Sequence, residues 1–178
     1  MSSGPWYQEG LRFECTRCGA CCSGFAGTVR VTDEEIAVLA RRLGLSEAEF
    51  RKGYTRSVGA DHLSLQETDE FDCVFYDRGE GCQVYEDRPK QCRTWPFWRR
   101  VVRTPATWET EAETCPGMND GPLVDADTIR RLSDDDGTML SFFSEGPGEG
   151  DSPADAPPPA DAPPAADAPP AADAPERQ

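Results

Sequence analysis

Cys15-Thr16-Arg17-Cys18-Gly19-Ala20-Cys21-Cys22 puts four thiols within eight residues, and its reading decides how the rest of the chain folds. Two-residue gaps between sulfurs let one tight loop aim several soft ligands at a single centre, with Gly19 permitting the turn. Cys73, Cys82, Cys92 and Cys115 are spread downstream, giving eight cysteines against one histidine. The alternative, a disulfide framework, depends on compartment. Met1-Ser-Ser-Gly-Pro-Trp-Tyr-Gln-Glu-Gly shows neither a basic n-region nor an apolar h-region, and no apolar run approaches the ~20 residues of a membrane helix. The expectation is a cytoplasmic protein with reduced thiols, where clustered cysteines bind metal or do redox chemistry. Neighbouring Cys21 and Cys22 are expected to diverge. Cys22 then either ligates a second centre or has a role of its own.

Composition divides the chain. From Gly146 onward, near-repeats of Ala-Asp-Ala-Pro-Pro contain no large apolar residue, so residues 146–178 read as a disordered acidic Pro/Ala-rich tail. That tail has seven acids and one arginine, −6 of the formal −15, leaving −9 on residues 1–145. Such a balance argues against general nucleic-acid binding. Residues 1–145 are expected to form one small α+β domain, cysteine-rich and metal-stabilised, with short strands, a few short helices and much loop.

Local signals place its elements. Residues 27–32 read as a strand. Thr32 and Glu35 form a capping-box pair opening a helix with Ile36, Leu39, Ala40 and Leu43 on one face, stopped by Gly44. Ser46 and Glu49 repeat the pattern and start a second helix ending near Gly53. Residues 62–65 and 73–76 read as strands, with a turn at 77–81. Asp87 is the expected N-cap of a short helix near Pro89, which Trp95-Pro96 ends. Arg100 to Arg103 reads as extended, and 125–132 as a closing helix.

The cluster together with Gly81-Cys82-x-x-Tyr85-x-x-Arg88-Pro89-x-x-Cys92-Arg93-x-Trp95-Pro96-Phe97 resembles the YkgJ-type cysteine-cluster family, described as zinc- or iron-chelating. The resemblance covers about residues 13–116, with Cys73 and Cys115 where the family's outer cysteines fall. It implies that Cys15, Cys18, Cys21, Cys22, Cys73, Cys82, Cys92 and Cys115 are metal ligands. Some members are labelled iron–sulfur oxidoreductases, and a flagellin lysine N-methylase carries a similar cluster, so the resemblance leaves the reaction open.

The residues themselves favour an iron–sulfur cluster over zinc. Structural zinc usually takes paired C-x-x-C knuckles, and no second knuckle exists here. Cys15, Cys18 and Cys21 match the three-cysteine run of bacterial ferredoxins, whose [4Fe–4S] cluster is completed by a distant Cys-Pro like Cys115-Pro116. Arg88, Lys90, Arg93, Arg99, Arg100 and Arg103 fall within sixteen residues that contain no acid but do contain Trp95, Phe97 and Trp98. Arg88 and Arg93, flanking Cys92, are read as charge compensation for a thiolate centre. The outer arginines are read as a surface for a protein or redox partner. His62 is read as a surface or partly packed side chain. The chain has no P-loop, no H-E-x-x-H and no G-x-S-x-G.

Three functions fit: an accessory, electron-transfer or metal-handling protein; a redox or group-transfer enzyme acting with a partner; or a structural zinc module for protein interaction.

Overall fold

The helices form where side chains satisfy the free N–H groups of their first turns. In the computed structural model, which describes residues 4–59 and 62–138, α1 (Asp33–Leu43) starts with a reciprocal box. Thr32 Oγ1 accepts from Glu35 N–H, and Glu35 Oε2 accepts from Thr32 N–H at 3.0 Å. Gly44 ends it in the left-handed conformation. Helix α2 (Glu47–Tyr54) opens the same way on Ser46 and Glu49. Ile36, Leu39 and Ala40 of α1 and Phe50 of α2 are buried, while Leu43 stays exposed at the end of its helix.

These helices cover a three-stranded antiparallel sheet. Its strands are β2 (Arg30–Val31), β3 (Thr55–Val58) and β4 (His62–Leu65), with β4 in the centre. Together they make the first of two apolar cores: Val31, Ile36, Leu39, Phe50, Leu65, Phe75 and Val84, with Phe50, Tyr54 and Phe75 stacked. A two-stranded ribbon of β5 (Tyr76–Asp77) and β6 (Gly81–Cys82) follows, closed by Asp77 Oδ1 accepting from Gly79 and Glu80 N–H. The turn expected at 77–81 is therefore present.

The second core is built from both ends of the described chain. Strand β1 (Leu11–Phe13) pairs antiparallel with β7 (Met118–Val124), and the register shifts between Arg12, opposite Leu123, and Phe13, opposite Met118. Helix α4 (Pro105–Ala112) buries Trp108, and α5 (Ala126–Asp134), the expected closing helix, is capped by Asp125 and buries Ile129. Phe97, Val101, Val102, Cys115 and Met118 complete this core. Two pieces of the chain are thus carried by separate small cores, and neither is large for a domain of this length.

Three local expectations are corrected. Residues 73–76 do not form a strand throughout: only Tyr76 joins β5, and Tyr76 N–H turns back to the Cys73 carbonyl at 2.8 Å. Arg100 to Arg103 is not extended, because Val101 and Val102 N–H both bond to the Trp98 carbonyl and bury their side chains. Asp87 does not cap α3 (Lys90–Thr94); it pairs with Arg42 at 2.5 Å. Glu35 Oε1, from the start of α1, accepts from Lys90 N–H at 2.6 Å instead. The expected tail, residues 146–178, lies outside the described residues.

Two glycines give contrasting tests. A Cβ on Gly117 would stand 2.0 Å from the Glu14 carbonyl oxygen, a backbone atom, beside the β1–β7 pair. Gly53, in α2, has nothing within 4 Å of that position. Gly117→Ala is expected to lower unfolding stability by about 1–3 kcal/mol. Gly53→Ala is expected to raise it by about 0.5–1 kcal/mol. Denaturant midpoints check both.

Candidate metal centre

All eight cysteines line one cavity of about 50 Å³, several times the ~10–15 Å³ that one water needs. It lies where the two cores meet. Leu65, Phe75 and Val84 of the first core and Phe13 and Cys115 of the second share its wall. Cys15 follows β1, while Cys18, Cys21 and Cys22 sit on the following loop. Cys73 precedes β5, Cys82 ends β6, Cys92 lies in α3 and Cys115 follows α4. Five separate pieces of backbone therefore bring cysteines to the same place.

The loop is shaped to do this. Gly19 has φ +81°, and a Cβ there would sit 2.0 Å from the Tyr76 hydroxyl, so only glycine lets the loop lie on Tyr76. Cys22 N–H closes a turn on the Gly19 carbonyl at 2.8 Å, and Cys73 N–H bonds to the Cys22 carbonyl at 2.7 Å, joining two cysteine segments. The expected divergence of Cys21 and Cys22 is not observed. Their sulfurs are 3.6 Å apart, because the turn at Gly19 folds both side chains toward the cavity.

Hydrogen bonds to sulfur favour anionic thiolates. The backbone N–H groups of Phe75, Val84 and Gly117 favour the ionised form of the cysteine two residues earlier, Cys73, Cys82 and Cys115, and Trp95 does the same for Cys115. The proximity of Cys15 to Tyr85 holds the phenol pKa up. Nothing in side-chain spacing announces the three backbone groups.

Burial works against ionisation. It pushes the Cys73 thiol up to about 11 and raises Cys92, Cys82 and Cys115 as well. Cys21 moves down to about 7 because the Cys22 thiol donates to it, and Cys22 is raised by the same bond. Arg88 is the cation that favours the thiolates of Cys21, Cys82 and Cys92. Its guanidinium lies 3.5 Å from the Tyr85 ring centre, its Nε donates to the Tyr85 carbonyl at 2.7 Å, and it lines the cavity.

Arg93 does not reach the cavity wall. It donates to the Arg88 carbonyl and stands 3.9 Å from Glu35, so it supports Arg88 rather than the sulfurs directly. Arg17, which the sequence did not single out, lines the cavity and lies 3.9 Å from the Tyr85 ring centre. Further along, Lys90 pairs with Asp135, Arg99 with Asp134 at 3.9 Å and Arg100 with Glu111 at 2.6 Å. His62 is away from the site, half-buried, with Nδ1 3.2 Å from Arg30.

The donor set fits a thiophilic metal: eight cysteines on one cavity, with Arg88 favouring the thiolates of several. Among the described residues, no group of three or more Cys, His, Asp or Glu side chains is arranged to hold a single ion. The sulfurs ring a space rather than meeting at a point. Among the same residues, no helix is long and apolar enough to cross a membrane.

Fold and site together define a small cysteine-rich metal-binding domain. The chain belongs to the CxxCxxCC family, described as "Putative zinc- or iron-chelating domain", which matches residues 14–116. It is similar to a protein of Methanocaldococcus jannaschii that bears the name Uncharacterized protein MJ0661, 30% identical over 92 residues, 51% of this chain and 48% of that protein. The chain therefore spans about half the length of that relative. No solved structure matches.

Each protonated thiol that becomes a ligand must release its proton. Metal affinity is therefore expected to tighten as pH rises from 6 to 9 and to keep tightening beyond, as Cys73 titrates near 11. Calorimetry in two buffers of different ionisation heat should show net proton release on binding. Affinity that does not change with pH would contradict thiol ligation.

Proposed function

We propose that this chain holds a polynuclear thiolate-bound centre, an iron–sulfur cluster, and serves in electron transfer or metal handling. The observation that carries the reading is the convergence of all eight cysteines on one cavity. A structural zinc ion takes four ligands, so eight sulfurs around one space exceed what a single such ion uses. Four thiolates hold a [4Fe–4S] cluster. The Cys15, Cys18 and Cys21 run with Cys115 would supply them, leaving Cys22, Cys73, Cys82 and Cys92 on the same wall for further metal or sulfide.

Such a cluster supplies one-electron chemistry at potentials set by charge, N–H donors to sulfur and solvent exposure. This chain's own residues address each of these. Arg88 supplies positive charge, the N–H groups of Phe75, Val84 and Gly117 favour the ionised forms of Cys73, Cys82 and Cys115, and Cys18 and Cys21 are exposed at one edge. That exposed edge supports exchange of electrons or metal with a partner, and Arg99, Arg100 and Arg103 remain the surface proposed for it.

Protein purified without oxygen is expected to carry iron with matching acid-labile sulfide and a reducible visible chromophore. Colourless protein with zinc and no sulfide would replace this reading with a zinc–thiolate module. Cys115→Ser is expected to lose metal and lower the melting temperature, since it removes a sulfur from the wall and a packed group from the second core. Full metal content in that variant would remove Cys115 from the ligand set.

A further inference from the structure

A second cavity, about 630 Å³, opens beside the metal centre and shares Cys21, Cys22, Cys73, Leu65 and Trp95 with it. That volume lies within the ~300–1,000 Å³ of small-molecule sites. Four aromatic side chains line it. Trp95 and Trp98 are packed edge to face at 4.8 Å, and the Trp98 indole N–H already donates to the Gln91 carbonyl.

Phe25 and Phe71 also line the cleft, and they are 80% and 51% exposed. Phe71 has φ +60°, a conformation that is an outlier for a bulky side chain. This strain does not serve burial, because the ring remains half in water. The surrounding bonds hold it in place. Phe71 N–H donates to the Thr68 carbonyl, Thr68 N–H to the Asp72 carbonyl, and buried Asp72 is fixed by Arg78 at 2.7 Å. Asp72 Oδ1 also accepts from Gly24 N–H at 3.3 Å, tying the Phe25 loop to the Phe71 loop. Two loops that each carry an exposed ring are thus tied by one buried carboxylate.

Charge narrows the class of ligand. Both carboxylates in the lining have an arginine partner: Glu67 with Arg56 at 3.2 Å and Glu111 with Arg100 at 2.6 Å. The cleft therefore has its charges matched, and a charged ligand would have to compete with these pairs. From this geometry we infer that the cleft binds an uncharged, planar aromatic molecule, of the size of a quinone or an isoalloxazine ring, among Phe25, Phe71, Trp95 and Trp98 and against Cys21, Cys22 and Cys73. The inference deepens the proposed function by giving the centre a bound ring to act with, but the binding itself depends only on the cleft.

The test is equilibrium dialysis of full-length, anaerobically purified protein with riboflavin and with duroquinone, and with flavin mononucleotide as the charged counterpart. Saturable binding of at least one neutral ring is expected, tighter than any binding of flavin mononucleotide. Phe25→Ala and Phe71→Gly should each weaken it about three- to tenfold, the effect of one lost aromatic contact. Phe71→Gly should melt no lower than the parent, since glycine adopts a positive φ without penalty. No binding of either neutral ring, binding untouched by both substitutions, or equal affinity for the phosphate-bearing flavin would overturn the inference. So would a ligand-free full chain that binds only after Phe142→Asp and Phe143→Asp, because the sequence running on from Thr138 at the cleft would then be its occupant. Metal and sulfide measured on the same samples keep the two readings apart. Ring binding by protein without metal would count against the metal centre only, and metal-replete protein without ring binding against the cleft only.

Discussion

Thiolates gathered around one desolvated cavity repel one another, and burial pushes the Cys73, Cys82, Cys92 and Cys115 thiols toward the protonated form. Something must supply positive charge before they can coexist as anions, and a bound metal does so most directly. The fold is organised around that requirement. Its two cores are small, and the sulfurs stand at their junction. Cys73 and Cys82 pack against the first core, and Cys115 belongs to the second. Metal held there would tie the two cores together, doing for this chain what a larger apolar interior does for others.

The protein's own charges are arranged to the same end. Arg88 is the one arginine whose charge acts on several of the sulfurs at once, and its position is fixed by the Tyr85 ring and carbonyl. Arg93 fixes the Arg88 backbone in turn. The rest of the basic stretch that stood out in the sequence mostly faces acids of the chain: Asp134 and Asp135 at the end of α5, and Glu111 of α4. Exposed pairs of this kind add little stability. They do explain why sixteen acid-free residues persist in a strongly acidic chain without forming a bare basic patch.

Much of the first core was legible, because its signals are local. The Thr32/Glu35 and Ser46/Glu49 boxes and the apolar spacing of Ile36, Leu39 and Ala40 belong to single helices, and the 62–65 strand is where its β-favouring residues placed it. The second core was mostly hidden. Strand β1 finds its partner more than a hundred residues away with a shift in register, which no local pattern records. Helix α4 carried a readable sign, Pro105 directly after the cap Thr104, that went unused. The misread segments fail for specific reasons. Residues 73–76 have strand-forming side chains, but Tyr76 N–H returns to the Cys73 carbonyl and closes a turn. Val101 and Val102 suit a strand, yet both amides return to Trp98. At the site, the cysteines could be named from spacing, whereas the N–H groups that favour their ionised forms and the neighbouring cleft arise only from the folded backbone.

The cysteines that share the cavity run from Cys15 to Cys115, so the wall spans most of the folded chain. During synthesis, at roughly 5–20 residues per second, the Cys15–Cys22 loop precedes Cys115 out of the ribosome by on the order of five to twenty seconds. In that interval four thiols sit together with no finished pocket around them, open to oxidants and stray ions. Timing of delivery thus becomes a property of the sequence itself: a metal donor that arrives before the last cysteine meets an open loop, and one that arrives after it meets a closed chamber.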